Sequence, residues 1–203
     1  MLYKNILWSC LLFFSLSSFV LPRYLRSVAA NKRWVISENS SLLVNGSTNI
    51  NKFSCGILAY DQTDTLTIGK TDKGVTLSGS IALGVQSFDC HNSMMTRDLR
   101  KTLKEKEFPK LHITFLSLSR LPELTAQPQL IKGMVNIEIA GARKRYEVDY
   151  QITVDVQKVI HLVGTRDVNF SDFNLIPPRK LGGMIKTNDK LSVEFHLNMT
   201  ALD

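Results

Sequence analysis

The sequence predicts an all-β protein of about eight antiparallel strands with a single amphipathic helix. Three observations carry this. Apolar residues recur at every second position in run after run, the period of strands with one buried and one wet face. Short turns rich in Gly and Asp separate the runs. Several runs exceed about ten residues, and strands that long favour a barrel or strongly curved sheet over a flat sandwich.

An opening stretch from Trp34 to Ile57 supplies the first strands, and Leu66 and Ile68 mark the next. Asp72-Lys73-Gly74 reads as a hairpin turn. It leads into an apolar row formed by Val75, Leu77, Gly79, Ile81, Leu83 and Val85. Ser93 to Lys106 then breaks the alternation. Met95, Leu99 and Leu103 repeat every fourth residue, between faces carrying Arg97, Asp98, Arg100, Lys101, Lys104 and Glu105. That spacing predicts a surface helix capped by Asn92 or Ser93 and ended by Phe108-Pro109. Strands resume from Leu111 to Leu118. Ile131, Gly133, Val135, Ile137 and Ile139 form another row, and Ala140-Gly141-Ala142 turns it back. Tyr146, Val148, Tyr150, Ile152, Val154 and Val156 then alternate with Arg145, Glu147, Asp149, Gln151, Thr153 and Asp155. A looser turn, Asp155 to Lys158, leads to Val159–Val168. Ser171 to Asp189 contains two prolines and two glycines, which deny it regular structure and suit a lid or binding loop. Leu191, Val193, Phe195, Leu197 and Met199 make the last row.

The chain has 203 residues, 44% hydrophobic and 21% charged, the composition of one globular domain. This excludes a disordered tail, a collagen-like rod and a multi-span membrane protein. The net charge is +7, but the first 29 residues hold three bases and no acid, so the remainder carries 22 bases against 18 acids. That excess is a solubility charge and gives no footprint for nucleic acid. Lys4 precedes an apolar run from Ile6 to Leu21, and small residues at Ser27 to Ala30 offer cleavage positions. Residues 1–29 therefore read as a signal peptide and 30–203 as the exported domain. An uncleaved anchor is the alternative, although a run of 16 residues is short against the roughly 20 that cross a bilayer. Export removes Cys10 and leaves Cys55 and Cys90, an even pair that reads as a disulfide in an oxidising compartment; two separate buried thiols remain the alternative.

Phosphate-binding glycine loops, paired metal-ligand histidines and nucleophile elbows are all absent from the sequence. No catalytic residue, metal ligand or cofactor site is assigned, and the chain does not read as an enzyme. His112 and His196 fall on polar phases, and His161 could face either way. His91, just before the helix, is the best placed of the histidines for chemistry but lacks an identifiable orienting partner. The inward rows are aliphatic and aromatic. They are equally consistent with a barrel that encloses an apolar ligand and with a fully packed core.

The order of segments resembles the YceI-like family of exported lipid-binding proteins. The resemblance rests on Trp34-Val35-Ile36 followed by Ser40 and Ser41, and on Gly46-Ser47-Thr48 leading to Phe53. It continues through Gly79-Ser80-Ile81, Arg97-Asp98-Leu99-Arg100 and Phe108-Pro109-Lys110-Leu111-His112-Ile113-Thr114-Phe115. A paired-glycine hairpin, Ile131-Lys132-Gly133 to Gly141-Ala142-Arg143-Lys144, and Ser171-Asp172-Phe173 complete the set. Asn174 stands where the family usually has glycine. The resemblance implies a lipocalin-like antiparallel β-barrel, of bacterial periplasmic or secreted location, that holds an isoprenoid or fatty-acyl amphiphile.

On this reading the barrel interior is lined by Phe53, Leu77, Ile81, Leu99, Leu103, Phe115, Val135, Ile137, Phe170 and Phe195. Met94, Met95 and Phe173 lie on the mouth elements, where contact with a membrane surface is a further expectation. A packed β-domain acting as an envelope interaction or stress protein is the other reading, and an enzyme using His91 is the third.

Overall fold

The computed structural model describes residues 31–202; the signal peptide assigned to residues 1–29 lies outside the described residues. The strands are β1 (Lys32–Ile36), β2 (Ser41–Ser47), β3 (Lys52–Ile57), β4 (Thr65–Thr71) and β5 (Gly74–Gly84). Helix α1 (Ser93–Thr102) follows, then β6 (Lys110–Leu118), β7 (Gln129–Ile139), β8 (Ala142–Val154) and β9 (Ile160–Asn169). Two short strands, β10 (Arg179–Lys180) and β11 (Ile185–Lys186), precede β12 (Lys190–Leu202).

Eight strands close into an antiparallel barrel in the order β1-β4-β5-β6-β7-β8-β9-β12, with β12 returning to β1. This is the lipocalin-like architecture expected. Strand β12 makes closure possible because it has different neighbours along one edge. Ser192–His196 pair with β2, and Met199–Leu202 pair with β1. The β2-β3 pair therefore extends the wall at the end where α1 lies. Bulges at Thr76–Gly79 and Phe115–Ser117 interrupt the ladders and let β5 and β6 bend around the core. Gly79 has φ 149°, and a Cβ there would stand 2.6 Å from a Leu66 methyl. Only glycine fits that bend.

Alternation places the expected rows inward. Val75, Leu77, Ile81 and Leu83 are buried, as are Tyr146, Val148, Tyr150 and Ile152. Val156 departs from its row and is 96% exposed. The chain leaves β8 at Val154 and turns, with Lys158 in a left-handed conformation. The helix is shorter than the expected 93–106. It ends at Thr102, Leu103 is its C-cap, and Lys104 takes φ 55°, a conformation that stops α-helical hydrogen bonding. The stretch from Ser171 to Asp189 is irregular as expected, except that β10 and β11 pair across a tip with Leu181, Gly182 and Gly183 at positive φ. Cys55 of β3 is bonded to Cys90 just before α1.

Candidate functional site

Strand β12 lays Leu191, Val193, Phe195, Leu197 and Met199 along the interior, running from the α1 end to the opposite end. The opposite half is closed to solvent. Trp34, Leu66, Leu77, Phe115, Tyr150, Ile152, Leu162 and Met199 are all almost fully buried there. Three aromatic rings close this packed half from below. Phe195 stands edge-on to Phe115 with centroids 6.0 Å apart, and to Tyr150 at 5.9 Å. The Phe195 ring lies on the backbone of Gly164, where a Cβ would come within 2.2 Å of the ring.

Below this aromatic floor the barrel is hollow. A cavity of about 70 Å³ is walled by the ends of β2, β6, β7, β9 and β12 and roofed by α1. Leu99 and Leu103 of the helix face Ile113, Ile137, Phe170 and Leu191 across it, and among the described residues Asn169 is its only polar liner. A second cavity of about 150 Å³ adjoins it between β3, α1 and the 178–187 segment, lined by Phe53, Met95, Pro178 and Ile185 among others. Leu99 and Phe170 line both and so form the partition between them.

The helix is held over the cavity by its cap and by bonds to the turn that precedes it. Asn92 is the cap: its side-chain oxygen accepts from Met95 N–H at 3.0 Å. Thr96 Oγ1 accepts from Cys90 N–H at 3.0 Å. Arg100 donates to the carbonyls of Gln86 (2.5 Å) and Phe88 (2.9 Å), pinning the turn that carries the cavity residue Phe88. The disulfide and the reciprocal Gly56–Asp89 backbone bonds (2.8 and 2.9 Å) tie the same turn to β3.

Phe170 and Phe173 are positioned by a short 3₁₀ turn built around Asp172. Its carboxylate accepts from Asn169 N–H at 3.1 Å, from the Tyr146 hydroxyl at 2.7 Å and from Lys144 Nζ. The Lys144 ammonium and then the Tyr146 hydroxyl hold its carboxyl down to about 2, because both favour the ionised form. Tyr146 is raised in turn, first by burial and then by the Asp172 bond. Asn174 ends the turn at φ 55°, a left-handed position that asparagine tolerates better than most residues; this is why it can stand where glycine is usual. Asp189 clamps the other side, accepting from Ser171 N–H at 2.9 Å. A Lys180–Asp98 ion pair at 2.7 Å joins the long loop to α1.

Among the residues expected to line the interior, the structure brings Leu99, Leu103, Ile137, Phe170 and Phe173 to the first cavity. Phe53 and Met95 line the second. Phe115 and Phe195 form the floor, and Leu77 and Val135 are fully packed above it. Ile81 and Phe195 border a gap of only about 10 Å³, at or below the ~10–15 Å³ one water needs. Met94 faces outward on the rim, 58% exposed. Leu42, Val44, Phe88, Leu111, Ile113, Leu175, Leu191 and Val193 also line the first cavity. Several of these fall on the apolar rows, but alternation does not say which end of the barrel they occupy. Phe88 and Leu111 carry a usable signal, since they flank the helix that roofs the hollow.

The histidines lie elsewhere. His161 is on the outer wall, with ring nitrogens 2.7 Å from Asn198 Oδ1, 3.3 Å from His196 Nε2 and 3.1 Å from Asp155 Oδ2. Burial, and then the charge of His161, lower the pKa of His196. His91 is exposed at φ 56°. Among the described residues no three His, Cys, Asp or Glu side chains converge as metal ligands, and no helix is long and apolar enough to cross a membrane.

No protein-family model and no curated protein matches the sequence. Solved structures do match the fold. A polyisoprenoid binding domain from Saccharophagus degradans, implicated in plant cell wall breakdown, superposes with a TM-score of 0.60 at 11% identity, over 86% of this chain and 99% of that one. BcnA of Burkholderia cenocepacia gives 0.58 at 14% identity, over 78% and 95%. A YCEI protein of Campylobacter jejuni matches at 0.47 and 16% identity, over 66% and 79%. At the identities of the first two the likeness is one of fold, and that fold is the one the ordered motifs imply.

Proposed function

We propose that this chain is an exported YceI-like carrier, not an enzyme, that holds an isoprenoid or fatty-acyl amphiphile by its apolar tail. The observation that carries the reading is the hollow between α1 and the strand ends, in which Asn169 is the one polar liner among the described residues. Such a space rejects ions and sugars, whose desolvation nothing there would offset, and favours hydrocarbon by ~0.8 kcal/mol for each CH₂ buried. An apolar cavity of about 150 Å³ takes a benzene-sized guest. The second hollow has that volume but also carries Thr48, Asn51, Asp98, Lys180 and Thr187 on its wall, and the first, at about 70 Å³, has room only for a smaller, wholly apolar group. A longer tail runs through both once Leu99 and Phe170 swing aside. The fold shared with a polyisoprenoid binding domain supports a lipid as the guest. The Cys55–Cys90 bond supports an oxidising compartment, hence a periplasmic or secreted location in a bacterium.

The test is organic-solvent extraction of protein purified from an expressing envelope fraction, followed by mass spectrometry. The reading expects a prenyl or acyl lipid that is depleted in the cavity-filling variant Leu103→Trp, whose folding is checked by circular dichroism. Lipid-free extracts from repeated preparations would sink it and leave the packed interaction-domain reading in its place.

A further inference from the structure

The loop tips around the second cavity carry an exposed apolar patch. Ile176, Leu181, Met184, Ile50 and Met94 are between 58 and 79% exposed, although each could have been polar at no cost to the core. They form one rim. Met94, Ile176 and Leu181 border a common surface depression with Lys101 and Arg179. Met184 N–H bonds the Leu181 carbonyl at 3.2 Å, and Asn49 Nδ2 donates to the Met184 carbonyl at 2.9 Å, which brings Ile50 alongside. Leu181 is at φ 51°, an unfavourable conformation for a bulky residue. The turn thus holds a leucine outward in water at the expense of its own backbone.

The rim is also cationic. Lys101, Arg179 and Lys186 form no ion pair among the described residues. The rim carboxylate Asp98 is already paired with Lys180. Apolar tips interleaved with unpaired cations match the chemistry of an anionic bilayer surface, where the tips enter the headgroup–acyl boundary and the cations meet lipid phosphates. The patch surrounds the opening lined by Ile50, Met95, Pro178 and Ile185.

We infer that the β10–β11 tip, the Thr48–Asn51 turn and the exposed edge of α1 dock the barrel, cavity mouth down, on an anionic phospholipid membrane. As the route by which a tail enters or leaves, this rests on the carrier reading; as a binding surface it stands without it.

The experiment is co-sedimentation of the exported domain with vesicles of phosphatidylcholine alone or mixed with phosphatidylglycerol. Binding is expected to the mixed vesicles and not to phosphatidylcholine, and to fall as salt rises. The triple variant K101Q/R179Q/K186Q should lose roughly 100-fold in partitioning at about a factor of five per cation. L181D/M184D should lose about tenfold or more; both positions are exposed, so folding should persist and is checked by thermal melting. Equal binding to both vesicle types, or wild-type binding by both variants, would overturn the inference. Extractable lipid without vesicle binding refutes docking alone. Vesicle binding without extractable lipid upholds docking and refutes the carrier reading.

Discussion

Phe195→Ala should destabilise the barrel by about 4–5 kcal/mol. Truncating a buried phenylalanine costs about 3–5 kcal/mol. Phe195 belongs in the upper part of that range because it also forms two edge-on aromatic pairs, at 6.0 and 5.9 Å, each worth about 0.5–1.5 kcal/mol beyond area burial. The geometry makes a sharper demand on Gly164. A methyl there would stand 2.2 Å from the Phe195 ring. Strand β9 cannot retreat, because Gly164 is paired with Tyr150 on one side and with Phe195 on the other. Gly164→Ala alone should therefore cost about 1–3 kcal/mol through overpacking. In the Phe195→Ala background the obstruction is gone, and the same change should cost nothing or gain about 0.4–1 kcal/mol from the stiffer unfolded chain. Urea denaturation of the four proteins, analysed as a double-mutant cycle, should give a coupling of about 1–4 kcal/mol. Additivity within ~0.5 kcal/mol, the behaviour of independent sites, would show that the ring does not rest on Gly164 and that the hollow does not end there.

Asp172 has a depressed folded pKa of about 2 against an ordinary 3.8, so its contribution is complete above about pH 4 and is lost as pH falls through about 2; acid unfolding of Asp172→Asn should be shallower across that window, and identical profiles would contradict the role given to Lys144 and Tyr146. His196 has a folded pKa lowered from 6.5, so the unfolded chain binds the proton first and stability should decline as pH drops below about 6.5; His196→Asn should flatten that slope in urea titrations at several pH values, and an unchanged slope would exclude the histidine pair as its source. Reducing the Cys55–Cys90 bond, which closes a loop with a sequence separation of 35, should cost about 3–4 kcal/mol in the chain-entropy model and speed amide exchange in α1 before the far-end strands; uniform exchange would show that the bond does not specifically hold the roof.

Much of the barrel was legible because period-two alternation states which side of a strand faces inward. The rows around Tyr150 and Leu197 are where that rule puts them. Alternation is blind, however, to height along the barrel. Leu77 and Leu191 have the same phase relation to their strands, yet one is packed above the aromatic floor and the other lines the hollow below it. Helix spacing identified Leu99 and Leu103 as an apolar stripe, and both face the cavity. The end of α1 was misplaced because Lys104 is a good helix former whose left-handed backbone is imposed by the turn into Phe108. The Asp172 carboxylate network was invisible in sequence, since Lys144 and Tyr146 reach it across 26 to 28 residues. The β10–β11 pair was hidden for another reason: two residues per strand are too few to show a period.

On the carrier reading, apolar guests should enter the helix end of the barrel and nowhere else. It is tested most directly by methyl NMR during titration with farnesol or a medium-chain fatty acid. Shifts are expected at Leu99, Leu103, Ile137, Leu175 and Leu191, with Leu77, Leu162 and Met199 above the aromatic floor unmoved. Silent helix-end methyls at saturating ligand, or shifts confined to the packed end, would contradict it.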